Sequence, residues 1–423
     1  MADCRKTYEP VTSTTAISIS SGFTDTQNSV HVAAGRLPSI DIFRGLIMVW
    51  MALDHTRDFF TNIPFEPETL AKTNLALFAT RWVTHFCAPM FFFLAGTSAF
   101  LYGQRRSRRD LRQFLVTRGL WLIFLEFTVV GTAWTFQLPR GFFGVIWALG
   151  ASMLILSLVV ALPIRWITTL SIAVMIGHNL LDSIHPEQLG PLTWLGKLLH
   201  ARGEVVLPFG IHEFVLFPLI PLAAVMAAGY AFGQFYLLEC GRRRKLMAAL
   251  GLGLTLAFVV LRATNLYGNP PMGLGGVSQG DWHLQATLDK TLILFFDVEK
   301  YPPSLQYLLM TIGPSLLLLA ALDYEGRRDA TSVLLIFGRV PMFFYVLHLY
   351  LIHWVAVLVA VLFHQPANWL FHGAIFSDTP SGYGHGLPFV YLMWFTVLGI
   401  LYFPCRRFAD LKQRRKDWWL SYL

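Results

Sequence analysis

Ten apolar segments, each long enough to cross a bilayer, constrain the fold of this 423-residue chain more than any other feature. A transmembrane helix needs about 20 consecutive, mostly apolar residues. The segments lie at about 39–62, 78–103, 112–135, 142–162, 165–182, 213–238, 244–266, 303–323, 333–363 and 387–407. Charged residues make up only 14% of the chain, whereas they approach about a quarter of an average soluble domain. The sequence therefore predicts an all-α, polytopic integral membrane protein with about ten transmembrane helices.

Basic residues collect in three clusters that predict how the chain is oriented. The clusters follow the second, sixth and tenth segments, at 105–112, 242–245 and 406–416. If ten helices alternate in direction, all three clusters fall on one side, and the positive-inside rule assigns that side to the cytoplasm. We therefore expect both termini to be cytoplasmic. Because the net charge of +8 comes from these loop clusters, nucleic-acid binding is not expected.

The chain divides into three predicted regions. Residues 1–35 are rich in Ser and Thr and lack an apolar run of signal-peptide length, which predicts a disordered cytoplasmic tail, with a transit-type leader as the alternative. Residues 36–408 form one transmembrane domain, and residues 409–423 form a basic cytoplasmic tail. Within the segment 333–363, Pro341 predicts a strong tilt or a break in the helix. The loop 267–302 has room for a re-entrant or interfacial piece.

The first apolar segment carries an unusual number of polar groups. These titratable or charged side chains are Asp41, Arg44, Asp54, His55, Arg57 and Asp58. Charged groups inside hydrocarbon cost several kcal/mol each, so ionisable residues there usually serve a function. Arg44 and His55 are eleven residues apart, which is about three helical turns and roughly 16 Å along the axis. One helix face can therefore hold an anion at one end and a titratable base at the other.

Polar residues in the other segments predict two layers when they are placed by depth. Arg44, Arg118 and Arg339 fall in the cytoplasmic half of their helices. The outer half holds a second set: Asp54, His55, Arg57, Asp58, His85, His178, Asn179 and Asp182. The sequence thus predicts a cationic layer that faces the cytoplasm and a His/Asp layer nearer the outside.

Each layer also has a purely structural interpretation. Arg44 can pair with Asp41 or snorkel to the interface, and Arg118 and Arg339 can snorkel as well. Similarly, Asn179 can cap the end of its helix. His55 has a stronger functional interpretation, because the carboxylates next to it on the helix can fix its tautomer or alter its pKa.

Several classes of site have no support in the sequence. The histidines show no HxxxH or HExxH spacing, and His348 and His353 do not share a helix face, so no metal site is expected. The four cysteines are scattered without CxxC spacing, which indicates neither a disulfide framework nor a thiolate centre. Sequence motifs of serine hydrolases, P-loop ATPases and Rossmann dehydrogenases are missing.

Motifs along most of the chain resemble those of a known family. The longest are RLPSIDIFRGLIMVWMALDH and THFCAPMFFFLAGTSAFL, and shorter ones are TRGLWLIFLE at 117–126, IWALG at 146–150, AGYAFG at 228–233, KYPPSL at 300–305 and FGRVPMFFYVLHLYLIH at 337–353. In this order they resemble the catalytic domain of the heparan-α-glucosaminide N-acetyltransferase type, particularly its bacterial members. The spacing of Arg44 and His55, and the pattern of Gly338, Arg339, Tyr345 and His348, are also similar to the acyltransferase-3 family.

The resemblance implies transfer of an acetyl or other acyl group from cytoplasmic acyl-CoA to a sugar or glycan acceptor outside. In these families the His of the Arg/His pair is tied to catalysis, which implies that role for His55. The resemblance also suggests a bacterial inner membrane. It leaves open the acceptor, the length of the acyl chain and a homodimer.

The two predicted layers suit this chemistry. We expect Arg44, with Arg118 and Arg339, to hold the phosphates or pantetheine amides of acetyl-CoA, and the similarity to acyltransferase-3 adds His348 to the donor-binding residues. His55 would then deprotonate the acceptor. Asp54 or Asp58 would orient the His55 ring.

The remaining catalytic groups and the order of steps are less defined. His85 or Asn179 would donate a hydrogen bond to the developing oxyanion. In the alternative route, His55 is itself acylated before transfer. The competing functions are a secondary transporter of a small polar or anionic solute, which also buries Arg, His and Asp, and a lipid-binding or scaffold protein.

Overall fold

Helices dominate the computed structural model, which describes residues 37–137, 142–270, 278–323, 332–372, 379–415 and 417–422. Within these ranges the helices are α1 Pro38–Phe60, α2 Leu75–Trp82, α3 Cys87–Gly103, α4 Arg108–Leu125, α5 Gly131–Thr135, α6 Val145–Val159, α7 Ile164–Gly177, α8 Thr193–His200, α9 Leu219–Phe232, α10 Cys240–Thr264, α11 Leu288–Phe296, α12 Leu305–Leu322, α13 Ser332–Arg339, α14 Pro341–Leu362, α15 Trp369–His372 and α16 Leu387–Arg414. An antiparallel hairpin of β1 (Gly203–Leu207) and β2 (Ile211–Val215) is the sheet in the described part. The prediction of an all-α, polytopic membrane protein is confirmed.

Eight helical stretches in the described ranges are long and apolar enough to cross a membrane. They are Leu75–Gly103, Arg108–Thr135, Ile164–Ser183, Leu219–Leu237, Cys240–Thr264, Leu305–Leu322, Pro341–Leu362 and Leu387–Arg414. The first and fourth predicted segments are not among these eight. The first corresponds to α1, which carries buried charged residues, and the fourth corresponds to α6, which is shorter than the eight spans. Each of the ten predicted segments thus contains a helix, while the cytoplasmic location of both termini stays a prediction.

Two details of the prediction are settled by local backbone chemistry. The helix break at Pro341 is confirmed, because α13 ends at Arg339 and α14 begins at Pro341, where a missing N–H costs nothing. The predicted helical start at about 213 is wrong, because residues 211–215 pair with β1 and α9 begins only after Pro218. The predicted tail 1–35 lies outside the described residues, and α16 extends to Arg414, beyond the predicted tail boundary at 409.

The first and last helices run antiparallel to each other. The indole N–H of Trp394 in α16 donates to the Val49 carbonyl in α1 at 2.9 Å. Just before α16, the hydroxyl of Tyr383 donates to the carbonyl of Phe59 at 2.6 Å. The beginning of α16 therefore lies at the end of the bundle where α1 finishes, which we call the site end.

Glycines let α1 approach its neighbour so closely that the two backbones touch. A Cβ atom added at Gly45 would lie 1.8 Å from the carbonyl oxygen of Leu334 in α13. From the opposite side, a Cβ added at Gly338 would lie 1.7 Å from the carbonyl oxygen of Asp41. Small residues at such crossings are how membrane helices gain van der Waals contact, since lipid offers no hydrophobic driving force between helices. The crossing fixes α1 against the segment that leads into α14.

Gly45→Ala is expected to lower the thermal stability of the purified protein. The added methyl group must push α13 away from α1, and overpacking of this kind typically costs about 1–3 kcal/mol. Gly399→Ala is the matched control, because nothing lies within 4 Å of a Cβ at that position. Thermal melts in detergent measure both variants. Equal melting temperatures for the two variants would contradict the close crossing.

Candidate active site

A cavity of about 340 Å³ lies at the site end of the bundle, beside the last turns of α1. Its walls come from α1, the loop after it, α2, α3, the turn after α4, the segment after β2, residues 300–301 and α14. Its charged lining residues are Asp54, Arg57, Asp58, Glu66, Arg81, Glu126, Arg202 and Lys300. A partly apolar cavity with converging charged groups and a histidine is the usual form of a small-molecule site.

His55 of α1 lines this cavity and contacts a second histidine behind it. Nδ1 of His55 lies 2.8 Å from Nε2 of His348 in α14, and the two rings are nearly parallel, with centroids 5.0 Å apart. The crossing of α1 with α13 and α14 brings the two residues together. The predicted donor-binding residue His348 is therefore the direct partner of the predicted base.

The hydrogen bonds of His348 assign the tautomers of both rings. Nδ1 of His348 lies 3.1 Å from the carbonyl oxygen of Phe344, which can only accept a hydrogen bond. A neutral imidazole carries one N–H, so His348 donates from Nδ1 and accepts at Nε2. His55 must then donate from Nδ1, and its Nε2 keeps the lone pair. The network leaves His55 as a base towards the cavity.

Aromatic rings hold the orientation of His55. Its ring meets Trp134 edge-on, with centroids 4.9 Å apart, and Tyr345 edge-on at 6.4 Å. Trp134 and Tyr345 both line the cavity. Packing of this kind restricts the rotamers of the histidine, which keeps the basic nitrogen in one position.

The carboxylates next to His55 pair with arginines. Nη1 of Arg57 lies 3.0 Å from Oδ1 of Asp54, and Arg57 also contacts Asp58. Arg81 of α2 places Nη1 2.8 Å from Oδ2 of Asp54. Asp54 and Asp58 were expected to orient His55, but the nearby guanidinium groups offer these carboxylates charge-assisted hydrogen bonds. The bond to Nδ1 of His55 is made by His348 instead.

The arginine of α2 extends the ion-pair network into the loop between α1 and α2. Nε of Arg81 donates to Oε1 of Glu68 at 2.8 Å, and the same oxygen lies 3.4 Å from Nε2 of His85. Burial alone raises the pKa of the Glu68 carboxyl, but the charge of Arg81 and the His85 ring together hold that pKa well below its usual range. Glu68 is therefore a fixed anion that anchors the loop over the cavity.

A buried carboxylate from the third predicted span also reaches the cavity. Glu126 begins a π-helical turn, Glu126–Val130, at the end of α4. Its Oε2 accepts a hydrogen bond from the backbone N–H of Trp147 at 2.7 Å, at the start of α6. The first N–H groups of a helix carry partial positive charge and suit a carboxylate. π-Turns occur frequently at functional sites.

His85 and Asn179, the predicted oxyanion donors, do not line this cavity. The His85 ring is 1% exposed and packs beside Glu68 and the ring of Tyr307. Asn179 accepts the backbone N–H of Leu305 at 2.9 Å and donates to Asp182 at 2.8 Å. The structure thus gives His85 a position behind the site and gives Asn179 a position that ties α7 to the start of α12.

The predicted cationic layer also lies apart from the cavity. Arg44 contacts Asp41 at 3.2 Å, the hydroxyl of Ser98 at 3.1 Å and the carbonyl of Gly338 at 3.3 Å. These contacts support the close crossing of α1 and α13 and correspond to the structural alternative for Arg44.

The other two predicted donor-binding arginines occupy separate positions. The guanidinium of Arg118 lies 4.4 Å from the ring centroid of Phe114. Arg339 is half-buried at the end of α13. A second cavity of about 310 Å³, opposite the site end, is lined by Arg106 and Arg108 rather than by these residues. The structure therefore does not bring Arg118 or Arg339 to either cavity.

His348→Leu is expected to lower kcat by about 10- to 100-fold, the typical effect of removing a partner that orients a functional ligand or base. His348→Gln should restore part of the rate, because its side-chain amide can still accept the Nδ1–H of His55. Steady-state kinetics on both variants, with thermal melts to verify folding, test this role. Equal losses in the two variants would indicate that His348 contributes only packing.

In the described ranges, no group of three His, Cys, Asp or Glu residues is placed to hold a metal ion. The free thiols in those ranges are Cys87, Cys240 and Cys405. Cys87 is buried in the wall of the cavity. Its thiol forms a weak hydrogen bond to the Ile47 carbonyl at 3.5 Å. The polar side chains that line the cavity include a histidine, carboxylates, arginines and a lysine.

Comparison with known proteins connects this site to a family. The sequence profile described as heparan-alpha-glucosaminide N-acetyltransferase, catalytic, matches residues 36–263, a little more than half of the chain. The match covers α1 to α10 almost completely, and includes His55, Arg81 and Glu126. No curated protein matches the sequence.

Proposed function

Because the chain belongs to the heparan-alpha-glucosaminide N-acetyltransferase catalytic family and is a membrane acetyltransferase, we propose that it transfers acetyl from acetyl-CoA to a sugar or glycan. The acceptor provides a hydroxyl or an amine. The observation that carries this proposal is the pair of histidines at the cavity, in which His55 lines the cavity and His348, behind it, lies 2.8 Å from Nδ1 of His55. His55, whose Nε2 keeps the lone pair, lines a cavity that can hold a small substrate.

In the proposed reaction, Nε2 of His55 removes the proton from the acceptor O–H or N–H as the acceptor atom attacks the thioester carbonyl carbon. The carbon–sulfur bond then breaks, and the departing thiolate of CoA takes the proton from His55. His348 stabilises the transient imidazolium by accepting its Nδ1–H. General base catalysis of this kind contributes about 10²- to 10⁴-fold.

The tetrahedral intermediate needs a donor for its oxyanion. Tyr345 is the candidate that replaces His85 and Asn179 in this role, because it lines the cavity and its ring lies 6.4 Å from that of His55. Loss of one such donor typically costs about 3 kcal/mol. Asp54, Asp58 and the two arginines that bind them are proposed to shape the polar wall rather than to exchange protons.

The proposed sidedness follows from where the cavity lies. It is at the site end of the bundle, which the positive-inside rule predicts to be extracytoplasmic. An acceptor from that side reaches His55 directly. Acetyl-CoA is proposed to deliver its thioester from the cytoplasmic side along its pantetheine arm. Arg44 is proposed to support the crossing of α1 and α13. Arg118 and Arg339 line neither cavity, so they would contact the donor only after α4 and α13, which carry them, move.

Release of free thiol from acetyl-CoA tests the donor. Purified full-length protein in detergent is incubated with acetyl-CoA and a panel of amino sugars and glycans. We expect thiol release that depends on one class of acceptor. Failure of well-folded protein to bind or consume acetyl-CoA with every acceptor would contradict the proposal and favour a solute transporter, which donor-independent flux in liposomes would identify.

Proteoliposomes test the sidedness. We expect turnover when acetyl-CoA is inside vesicles of predicted native orientation and the acceptor is outside, with no turnover when the two are exchanged. Protease digestion of a tag on the C-terminal tail determines the orientation of the vesicles. Turnover that occurs only when both substrates are on the same side of the membrane would contradict transfer across the membrane.

A further inference from the structure

Two cations in the cavity wall have no acidic partner. Lys300 and Arg202 both line the cavity. Within the described part of the chain, neither has a carboxylate oxygen within 4.0 Å or a side-chain hydrogen bond. Both instead lie against one aromatic ring: Nζ of Lys300 and Cζ of Arg202 are each 5.1 Å from the ring centroid of Tyr301. Both cations therefore line the cavity beside the ring of Tyr301.

Three carboxylates of the cavity already have partners within the protein. Asp54 and Asp58 pair with Arg57, and Glu126 accepts the backbone of α6. Glu66 is exposed at the mouth of the cavity. Asp54, Asp58 and Glu126 thus already have hydrogen-bonding or ion-pair partners in the protein, whereas Lys300 and Arg202 lie beside Tyr301.

Burial makes the missing partner of Lys300 significant. The residue is only 5% exposed. Buried lysines are almost always paired, because removing an ammonium group from water costs several kcal/mol unless a counter-charge compensates it. The chain around Lys300 is fixed by neighbours, since the Glu299 side chain accepts the backbone N–H groups of Ser278 and Tyr301 at 3.1 and 2.7 Å. The backbone that carries Lys300 is thus fixed, while its ammonium group has no carboxylate partner among the described residues.

We propose that Lys300 and Arg202 form an anion subsite that binds a phosphate, sulfate or carboxylate group of one of the two substrates. The inference deepens the proposed function, since it places the subsite in the same cavity as His55. Lys300, Arg202 and His55 all line this one cavity of about 340 Å³. An anionic group bound there would fix one end of the substrate and leave its neutral, reacting end at His55.

The chemistry of the pair fits an oxyanion. A guanidinium offers a planar fork of N–H donors, and an ammonium offers a compact point charge, which together are common ligands of phosphate, sulfate and carboxylate. Two substrates can provide such a group. An acidic substituent on the glycan would reach the subsite from the proposed acceptor side, whereas CoA phosphates bound there would place acetyl-CoA on that same side and would contradict the proposed sidedness. The experiment must therefore separate the donor from the acceptor.

Binding measurements with two matched pairs of probes make this separation. The donor pair is 4′-phosphopantetheine and pantetheine, and the acceptor pair is glucosamine phosphate and glucosamine; in each pair the second compound lacks only the phosphate. Isothermal titration calorimetry on the full-length protein in detergent measures their affinities for wild type, Lys300→Gln, Arg202→Gln and Lys300→Arg. Lys72→Gln is the control, because Lys72 is an exposed lysine near the same end and does not line the cavity.

In wild type we expect one phosphorylated probe to bind at least about tenfold more tightly than its partner, as for a charge-assisted hydrogen bond. Lys300→Gln and Arg202→Gln should each remove most of this preference, Lys300→Arg should keep it, and Lys72→Gln should leave it unchanged. The pair that shows the preference identifies the source of the anion. Thermal melts verify folding, and Arg202→Gln alone decides the outcome if Lys300→Gln does not fold.

Equal affinities within both pairs in wild type, or a full preference in both glutamine variants, would overturn the subsite. The result is separate from that for acetyl transfer. A phosphate preference without thiol release would keep the subsite and remove the proposed reaction, whereas thiol release without the preference would remove only the subsite.

Discussion

His55→Ala is expected to lower kcat/KM for acceptor-dependent thiol release by about 10³-fold, within the range of about 10²- to 10⁴-fold that a positioned general base contributes. The physical reason is that His348 commits Nδ1 of His55 as a donor, so Nε2 is the basic atom that the pair offers to the acceptor. Alanine removes that atom and leaves the cavity otherwise intact. Donor affinity should change little, because the proposed role is proton transfer.

Two controls give this prediction its meaning. His283→Ala removes an exposed histidine that does not line the cavity, and its activity should equal that of wild type. Thermal melts establish that His55→Ala is folded. A folded His55→Ala variant that retains more than about one tenth of the wild-type rate would contradict the assignment of His55 as the base, since a base contributes at least about 10²-fold.

Arg81→Leu is expected to lower the free energy of unfolding by about 3–5 kcal/mol, the usual effect of breaking a buried ion pair by removing one partner. The Arg81 guanidinium bridges Asp54 at 2.8 Å and Glu68 at 2.8 Å. Without it, Glu68, which is 2% exposed, becomes a buried anion beside the His85 ring and loses its guanidinium partner. The loop between α1 and α2 should then detach from the cavity.

A double-mutant cycle separates this network from simple loss of packing. Adding Glu68→Gln to Arg81→Leu should recover part of the lost stability, because it removes the carboxylate left without a counter-charge. Arg415→Leu is the control, since Arg415 is 66% exposed in its side chain and its contact with Asp417 is 4.0 Å long. Additive losses from Arg81→Leu and Glu68→Gln, measured by denaturation in detergent, would contradict the bridging role.

Local patterns in the sequence were sufficient to predict the helices and one half of the site. Apolar runs mark their own spans, and a proline marks its own helix break, as at Pro341. The charges in α1 are also local: Asp54, His55 and Asp58 lie within two turns, so any helix brings them to one end of the bundle. These features depend on neighbours in the chain, which sequence periodicity reports directly.

The other half of the site depends on contacts between distant segments. His55 and His348 are 293 residues apart, and their hydrogen bond results from the close crossing of α1 with α13 and α14. Glycines permit that crossing, but spacing alone does not reveal which helix faces Gly45. The resemblance therefore singled out His348 as a donor-binding residue, whereas the structure places it against Nδ1 of His55, which supports the proposed role of orienting the base.

Four charged residues of the candidate site were missed because they lie at the edges of spans or in loops; one of them, Arg202, lies just before β1. Arg81 lies in the first turns of a predicted span, Glu68 lies in the preceding loop and Lys300 lies in the long loop before α12. A single charge in a loop is normally solvated, so composition gives no reason to select it. Glu126 carried a signal, an isolated carboxylate within an apolar run, that could have identified it.

The mass of the acceptor after incubation with acetyl-CoA that carries a deuterated acetyl group tests the central claim most directly. The full-length protein, wild type or His55→Ala, is purified in detergent and supplied with the acceptor that best supports thiol release. We predict that mass spectrometry will find the labelled acetyl group on the acceptor with wild type and not with His55→Ala. Equal labelling with both proteins, or labelling with neither, would contradict an acetyltransferase that uses His55 as its base.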